Sequence, residues 1–526
     1  MLRSRSSRMR LTSTFAVVAL FGLAACGSGG EASGGGSASK TLVVDNVFQL
    51  KTIDPARCFE ATSCLLVKQV YETALNFDGA DLGTVVPAVT DYAMSKDNKV
   101  LTLTLDGAHT FSSGKPVTVD DIVFSYQRLQ GLKANPAFFL DGVTVKKVDD
   151  KSLTLTSAVA NPALVSILPN PSLGIVEKAV VEHNGGTLDA ADKSEAYLNK
   201  TSAGSGAYQL DEVNMTSRVT LARNANYSGH KPAFDRVVVQ NVSASTQKVN
   251  VQAGSSQIAL DIPSDEAAGL DGGTTQVAEG KSATTVFAWF NTNPKFGGAT
   301  ADPQFTAAVR HAINYDELVK ITGAASNRIA GLVPAQFAGA LPDDEAAGYD
   351  PAAAKVDLAK TGYRGEPVKF LLSSDSDVLA AAAQKIQADL KKVGINLQLS
   401  PMPGATMLDT FRGGKFPAGI ANWYADFPDA SDYLVFAPGQ NIAKRAAWLD
   451  DGSSASATAI APFVKAAASA ATTGDRATAY QEFQRQLNKT GPFIPLYQPG
   501  AQIVAAKDLS GVAYNSIFTI DLTAVK

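Results

Sequence analysis

The chain has 526 residues, about three average domains in length, and 45% of its residues are hydrophobic and 18% charged, a composition typical of globular proteins. The formal net charge is −4, and residues 1–25 hold four arginines and no acidic residue, so the remainder is more acidic still. This balance argues against nucleic acid as a partner and against electrostatic adhesion to anionic lipid.

The first 25 residues predict a secretory signal peptide, because four arginines precede a short apolar run from Phe15 to Ala25. The end of this run, Leu23-Ala24-Ala25-Cys26, resembles a bacterial lipobox. That resemblance implies cleavage before Cys26 and a diacylglycerol on its thiol, which would tether the protein to the outer face of the cell membrane. The alternative is an ordinary signal peptide with a chance cysteine. A membrane-spanning anchor is disfavoured, because spanning needs about 20 apolar residues.

Residues 26–40 predict a flexible linker that follows the lipidated cysteine. Gly27 to Ser39 reads GSGGEASGGGSAS, with one charge and no large side chain. Such a segment cannot bury enough apolar surface to fold. The folded part of the chain is therefore expected to begin near Lys40.

Two cysteines remain in the part of the chain that follows the linker. Cys58 and Cys64 lie close together in the segment ARCFEATSC. In an oxidising compartment an even pair favours a disulfide, so we predict a Cys58–Cys64 bridge. Two free buried thiols are the alternative, because the geometry of a bridge is not visible in a sequence.

The elements that follow mix strands and helices. A strand is predicted from Thr41, an amphipathic helix after Ser63 that ends near Asn76, and a half-buried strand over the alternating segment Leu101–Leu105. Thr118 is predicted as the N-cap of the next helix, with Asp120 and Asp121 near its positive end.

The second half of the chain contains a strand–helix–strand unit. Val368–Ser373 is a predicted strand, Val378–Val393 a helix closed by Gly394, and Ile395–Leu399 a second strand. This order predicts a parallel pair of strands joined by a right-handed crossover. The fold class is therefore α/β, and such folds place ligands at the carboxyl ends of strands.

Ten short segments, spread over nearly the whole chain after the linker, together resemble one family. They are Asp54-Pro55-Ala56, Val70-Tyr71-Glu72, FSSGKPVTVDDI (111–122), GSGAY (204–208), LARNANY (221–227), FNTNP (290–294), VRHAI (309–313), YDPAAAK (349–355), WYADFPD (423–429) and IPLY (494–497). The chain resembles the extracellular solute-binding proteins of peptide- and nickel-type ABC transporters, the family-5 binding lipoproteins. Each segment alone is weak, and their common order carries the resemblance.

The resemblance implies a two-lobe clamshell of the type II periplasmic-binding-protein kind. Lobe I would comprise residues 41–285 and 496–526, with an inserted subdomain at about 80–200, and lobe II residues 286–495. The chain would cross between the lobes near Trp289–Pro294 and near Pro492–Tyr497, and these crossings would act as hinges. A ligand that contacts both lobes would then favour the closed state.

The same resemblance places the ligand site at Trp423 and Asp426. In peptide-binding members an aspartate at this place pairs with the α-ammonium of the ligand, and Trp423 offers a flat apolar wall. A carboxylate suits this role, because charge-assisted hydrogen bonds are strong once water is excluded. Without the family, Asp426 and Asp429 would be interpreted as turn residues beside Pro428.

Further candidates for the cleft are Phe48 and Gln49 after the first strand, and Trp289, Asn291 and Asn293 at the first crossover. Each has a structural alternative: Trp289 alternates with Phe287 and fits a core strand, and Asn293 fits a turn before Pro294. A partner for the ligand carboxylate is harder to find, since no Lys or Arg lies between Lys415 and Lys444.

The sequence thus favours a lipid-anchored receptor that captures oligopeptides and delivers them to the permease subunits of an ABC importer. We expect a monomer without cofactor, metal or nucleic acid. The four histidines lack metal-binding spacing, and chance explains the Ser-x-x-Lys and Lys-Thr-Gly segments that resemble those of penicillin-recognising enzymes. The alternatives are an oligosaccharide or other non-peptide solute bound by the same fold and, more remotely, a surface hydrolase.

Overall fold

The computed structural model describes residues 40–323, 325–470 and 472–526. The predicted signal peptide, the lipidation site Cys26 and the linker up to Ser39 lie outside these residues. Among the described helices, none is both long enough and apolar enough to cross a membrane.

The strands form four sheets within the described residues. In chain order the strands are β1 (Thr41–Asn46), β2 (Leu75–Asp78), β3 (Asp81–Pro87), β4 (Thr90–Met94), β5 (Val100–Leu105), β6 (Val143–Lys147), β7 (Ser152–Ser157), β8 (Tyr208–Asn214), β9 (Arg218–Arg223), β10 (Arg236–Asn241), β11 (Ile258–Ala259), β12 (Thr275–Lys281), β13 (Thr284–Phe290), β14 (Val368–Ser373), β15 (Leu397–Met402), β16 (Ala418–Tyr424), β17 (Phe493–Tyr497) and β18 (Gly500–Ala506).

Helices of very different length surround the sheets. In chain order they are α1 (Ala61–Val70), α2 (Val119–Leu132), α3 (Leu164–Ile167), α4 (Lys178–His183), α5 (Glu195–Leu198), α6 (Ala244–Ala253), α7 (Ser264–Ala267), α8 (Pro294–Gly297), α9 (Pro303–Ala312), α10 (Tyr315–Ile321), α11 (Pro351–Ala359), α12 (Asp377–Lys392), α13 (Gly404–Arg412), α14 (Asn441–Arg445), α15 (Ala455–Ser469) and α16 (Thr473–Thr490). Short 3-10 turns include Asn135–Leu140 and Ala430–Phe436.

Lobe I, the part built on the largest sheet, is discontinuous in sequence. Its strand order is β12-β18-β11-β1-β10-β9-β8, so β18 from the C-terminus lies between two strands from the first half of the chain. β1 pairs in parallel with β10 and β11, and its Leu42 and Val44 are fully buried against α1. The C-terminal strand β18 thus belongs to the same sheet as strands from the first half of the chain.

Lobe II is built on a five-stranded sheet of order β15-β14-β16-β13-β17. The predicted strand–helix–strand unit is confirmed: β14 and β15 are parallel and α12 joins them. β13 is buried on both faces, since Val286 and Ala288 pack into one core cluster while Phe287 and Trp289 pack into another. Layers of helices on both faces of this sheet follow from that double burial.

A four-stranded antiparallel sheet, β4-β5-β7-β6, lies within the range predicted for the inserted subdomain. Helix α2 packs on it and begins as predicted at Thr118, whose side chain and that of Asp121 form a reciprocal capping box. The predicted α/β fold with two lobes and an insertion is thus confirmed.

The crossings between the two large sheets differ from the prediction. The chain changes sheets at residues 282–283, between β12 and β13, and at residues 498–499, between β17 and β18. Trp289 instead lies within β13, near the end of the strand, and packs into a core cluster. The Gln498 side chain donates a hydrogen bond to the Ser282 carbonyl oxygen and so ties the two crossings together.

A second difference concerns the first helix, which ends at Val70 and not near Asn76. Leu75–Asp78 pairs with β3 as a hairpin instead. The loop that contains Gly204 and Gly206 packs against Val70 and helps to end the helix there. A Cβ on either glycine would meet backbone atoms of Val70 at 2.2–2.7 Å.

Candidate functional site

The candidate site is the segment that follows β16 at the carboxyl end of that strand. Trp423 and Tyr424 end β16, and the segment Ala425–Asp429 leads into the 3-10 turn Ala430–Phe436. The Trp423 ring is half-buried and makes an edge contact with Phe436 at 6.4 Å between ring centroids. Strand alternation places Trp423 on the face of the sheet that Phe287 and Trp289 share.

Asp432 holds this segment in place. Its side chain is 5% exposed, and its Oδ2 atom accepts two hydrogen bonds, from Trp423 Nε1 at 3.0 Å and from the Asp426 backbone N–H at 3.1 Å. One carboxylate oxygen therefore fixes both the indole ring and the backbone that carries Asp426. The sequence prediction missed Asp432, although it stands six residues after Asp426 in the same acidic turn.

The carboxylate of Asp426 is partly buried, and no donor among the described residues hydrogen-bonds to it. Burial raises the pKa of Asp426 to about 7. Burial, and then the Asp426 carboxylate, raise the pKa of Asp432 well above its ordinary value. The two acids thus form a desolvated, electronegative pair with nothing described beside Asp426 to neutralise it.

The basic side chain that pairs with this turn in the described residues is already compensated. Arg476, on α16, pairs with Asp429 at 2.5 Å and lies over the Tyr480 ring. The positive charge on this side of the turn is therefore compensated by Asp429, and Asp426 is left available to a cation from outside the chain.

Lobe I and its insertion face the site. The Asn170 amide donates to the Asp426 carbonyl oxygen at 3.2 Å, and Phe139 makes an edge contact with Phe427 at 6.5 Å. Tyr424 interacts with Tyr514 and Cys64 of lobe I. The lobes meet around the Asp426 segment, so a ligand bound there would be enclosed between them.

The predicted residues Phe48 and Gln49 lie in the loop after β1 on lobe I. Their backbone N–H groups donate to Asn241 Oδ1 at 3.1 Å and to Thr62 Oγ1 at 2.8 Å. The Gln49 side chain is exposed. None of their described hydrogen bonds reaches Trp423 or Asp426, so their role in binding stays a prediction.

Trp289 is not brought to the site. It is 1% exposed and stacks on Phe411 at 4.7 Å between ring centroids. Along β13 it pairs with Gly419, whereas Thr285 pairs with Trp423, a separation of four residues or about 13 Å. The core alternative for Trp289 is the one that the structure shows.

Asn291 and Asn293 lie beyond that same far end of β13 and serve local structure. Asn291 is fully buried and its Nδ2 donates to the carbonyl oxygens of Gly414 and Phe416 at 2.9 and 3.0 Å. Asn293 caps α8, accepting from the Lys295 N–H at 2.9 Å. Their grouping with Asp426 in the prediction was wrong, because it assumed that the lobes cross at this point.

The predicted disulfide is also absent from the structure. Cys58 and Cys64 are free, buried thiols whose sulfur atoms lie 3.7 Å apart, well beyond the bond length of about 2.05 Å. Cys58 Sγ also lies 3.6 Å from Ser172 Oγ. The two thiols pack and hydrogen-bond inside lobe I. This is the alternative of two free buried thiols.

A cavity of about 830 Å³ lies elsewhere between the lobes, beside the crossings, and includes neither Asp426 nor Trp423. It is lined from lobe I by Ser264 and Gln502 and from lobe II by Val286 and Asn422. Val286 and Asn422 are on the other face of the lobe II sheet from Trp423. The cavity and the unpaired Asp426 carboxylate therefore indicate two different positions for a ligand. We place the candidate site at Asp426, where an unpaired carboxylate is enclosed by both lobes.

Two lobes joined by paired crossings, with a polar site between them, define the class of solute-binding proteins. The family model described as bacterial extracellular solute-binding proteins, family 5 Middle, matches residues 84–443, more than half of the chain. The chain belongs to this family of extracytoplasmic binding proteins.

Individual relatives agree with this assignment over most of their length. The probable D,D-dipeptide-binding periplasmic protein DdpA of Escherichia coli is 24% identical over 90% of this chain and 91% of its own. The periplasmic oligopeptide-binding protein OppA of the same species is 26% identical over 87% of each chain. These relatives are binding proteins, which confirms the prediction that the chain is not an enzyme.

Among solved structures, the fold is similar to that of the ABC transporter-associated periplasmic binding protein DppA from Helicobacter pylori in complex with the peptide STSA. The TM-score is 0.74 at 20% identity, with 92% of this chain and 97% of that chain covered. At this identity the likeness shows the shared two-lobe fold.

Proposed function

We propose that this protein is a lipid-anchored extracytoplasmic receptor that captures oligopeptides and delivers them to an ABC importer. The observation that carries the proposal is the Asp426 carboxylate, which both lobes enclose and which no described donor meets. A buried charge without a partner is costly, so the site favours a ligand that brings a cation. The α-ammonium of a peptide is such a group.

The surroundings of Asp426 suit a peptide main chain. Trp423 is locked by its hydrogen bond to Asp432 and presents a fixed apolar wall beside the carboxylate. β16 ends at this point, so an extended peptide can continue the hydrogen bonding of strand ends with its own backbone. A peptide bound through its backbone and its ammonium group would be selected only weakly by its side chains.

In the part of the chain that the structure describes, Arg476 is the cation beside this turn, and it is paired with Asp429. The ligand carboxylate is therefore expected to have no dedicated partner there. A receptor that binds the amino terminus of its ligand specifically, and not the carboxyl terminus, accepts peptides of several lengths. The relatives named as binding D,D-dipeptides and oligopeptides are consistent with this range.

Replacing Asp426 tests the proposal. Asp426→Asn keeps the shape and one acceptor but removes the charge, so peptide affinity should fall by about 2–4 kcal/mol, or about 30- to 1000-fold. A mixture of short synthetic peptides is first presented to the wild type, and the bound peptide is identified by native mass spectrometry. Calorimetry then compares this peptide with its N-acetylated form on both proteins.

Acetylation should weaken binding to the wild type strongly and to the variant little, because both changes remove the same interaction. Asp150→Asn is the matched control, since its carboxylate is 96% exposed on the insertion and its loss should leave affinity unchanged. Equal affinity of the wild type for free and acetylated peptide would contradict the proposal and favour a non-peptide solute.

A further inference from the structure

Two carboxylates of one turn are held close together but are satisfied unequally. Asp432 accepts from Trp423 Nε1 and from the Asp426 N–H through a single oxygen, whereas the Asp426 carboxylate has no described donor. Asp432 is 5% exposed and Asp426 is only partly exposed, so water screens their mutual repulsion poorly. Two like charges in such a place resist simultaneous ionisation.

The other groups around the pair do not relieve this repulsion. On the turn itself Asp429 is paired with Arg476 of α16, and the buried Tyr433 donates to the Ala283 carbonyl oxygen. From the insertion, Asn170 and Phe139 bring no charge, and from lobe I Tyr514 and Cys64 face Tyr424. The described surroundings hold one cation, Arg476, and it is already compensated.

We propose, resting on the proposed function, that Asp426 and Asp432 hold one proton between them in the ligand-free protein and that the ligand ammonium displaces this proton to solvent. The site then carries one net negative charge when empty, as one carboxyl and one carboxylate. It carries the same net charge when loaded, as two carboxylates and one ammonium. The ligand cation takes the place of the proton, and the charge enclosed between the lobes does not change.

The titration of both groups agrees with this arrangement. Burial raises the pKa of Asp426 to about 7, and burial together with the Asp426 charge raises that of Asp432 well above its ordinary value. The Asp426 carboxylate is the first charged group that raises the pKa of Asp432, so the two acids titrate as a pair. Asp432 is a positioning residue here, because it holds Trp423 and the Asp426 backbone.

The sign of the pH dependence follows. The bound proton must leave before the ammonium can pair with two carboxylates, and releasing it costs more free energy at low pH. Ligand affinity therefore falls as the pH drops below about 7. With one proton released per ligand, the decrease approaches about tenfold per pH unit. An N-acetylated ligand brings no cation and should show no such dependence.

The first experiment needs no ligand. The side-chain carboxyl carbons of the ligand-free protein are followed by NMR from about pH 4 to about pH 9 in the wild type, Asp426→Asn and Asp432→Asn, with Asp150→Asn as the exposed control. We expect a carboxyl titration near pH 7 in the wild type and in Asp150→Asn. It should be lost in Asp426→Asn and move to lower pH in Asp432→Asn, which removes the neighbouring charge but leaves Asp426 buried. Ionisation of both aspartates below about pH 5 in the wild type would overturn the inference.

The second experiment measures the released proton directly. Trialanine and N-acetyl-trialanine are titrated calorimetrically into the wild type at neutral pH, in buffers of different ionisation enthalpy. Close to half a proton should be released per trialanine at a pH equal to the pKa of the pair, and less at the same pH in Asp432→Asn, which removes one charge but keeps an acceptor for both N–H donors. Trialanine binding without proton release would overturn the displacement step.

The two experiments separate this inference from the proposed function. A titration near neutrality in the free protein, combined with no binding of trialanine, supports the shared proton and counts against peptide capture. Binding of trialanine with both aspartates already ionised supports peptide capture and overturns the shared proton. Both arms use the wild type, so they stay decisive if a variant fails to fold.

Discussion

Arg128, on α2, shows at the scale of single residues how the insertion is tied to lobe I. Its side chain is 1% exposed, and it donates to Asp54 through two parallel hydrogen bonds of 2.8 and 2.6 Å and to Asp192 at 2.8 Å. Asp54 belongs to the Asp-Pro-Ala segment that carries part of the family resemblance. That segment is therefore structural, since its carboxylate anchors a helix of the insertion.

Removing Arg128 should destabilise the protein strongly. Arg128→Met leaves Asp54 and Asp192 buried with Arg57 as their remaining cation. Breaking a buried ion cluster in this way costs up to about 3–5 kcal/mol in free energy of unfolding. Denaturant titration measures the change. Arg412→Met is the control, because the Arg412 side chain is 57% exposed and its ion pair with Asp409 is long, at 3.9 Å. This substitution should lower the free energy of unfolding by less than about 1 kcal/mol. Equal stability of both variants would contradict the assigned role.

The same cluster implies a loss of stability in acid. Burial alone would raise the pKa of Asp192, but the hydrogen bonds and charge of Arg128 lower it below its ordinary value. A carboxyl whose folded pKa is lowered stabilises the fold above its unfolded pKa of about 3.9 and loses this contribution as the pH falls. The lost stability should be smaller in Arg128→Met, in which Asp192 keeps only its ion pair with Arg57.

At the scale of elements, helix α2 begins where its sequence predicts because its first turn is capped from both sides. Thr118 Oγ1 accepts from the Asp121 N–H at 3.4 Å, and the Asp121 carboxylate accepts from the Thr118 N–H at 2.9 Å. The Asp121 carboxylate also accepts from the Lys178 N–H at 2.8 Å, which links α2 to α4. The capping box thus serves tertiary packing as well as the helix.

Thr118→Ala should lower the free energy of unfolding by about 1 kcal/mol, because the N-cap acceptor is lost while the helix itself remains. Thr118→Ser keeps the hydroxyl and should lose much less. Denaturant titration of the three proteins, with hydrogen exchange of the Asp121 amide, measures the difference. A loss in Thr118→Ser as large as in Thr118→Ala would show that the methyl group matters and the cap does not.

At the scale of the whole molecule, two short crossings join the lobes and Gln498 bridges them. Short crossings limit the relative motion of the lobes to a hinge, which suits enclosure of a ligand between them. The cavity beside the crossings lies on the other face of the lobe II sheet from Trp423.

The proposed lipid anchor gives a prediction for the full chain in its cell. Cys26→Ser should release the protein from the membrane or leave its precursor uncleaved, because a serine hydroxyl does not replace the thiol that takes the lipid. Cell fractionation and the mass of the product measure both outcomes. Cys64→Ser, which changes a thiol buried in the folded part, is the control and should stay anchored. Unchanged retention and processing of Cys26→Ser would contradict lipidation.

The sequence by itself determined the α/β class, the family, the two lobes and the strand–helix–strand unit of lobe II. These follow from local patterns: alternation, helical spacing, the Thr118 cap and short segments in a common order. The sequence also singled out Trp423 and Asp426, because they stand together in one of those segments.

Only the tertiary structure decided where the lobes cross, that Trp289, Asn291 and Asn293 lie at the far end of β13, and that Cys58 and Cys64 are free thiols. It also brought Asp432 under Trp423 and Asp426. The physical reason is common to all of these. Sheet membership, strand register and the distance between two side chains depend on partners far away in the chain, and local patterns carry no record of them.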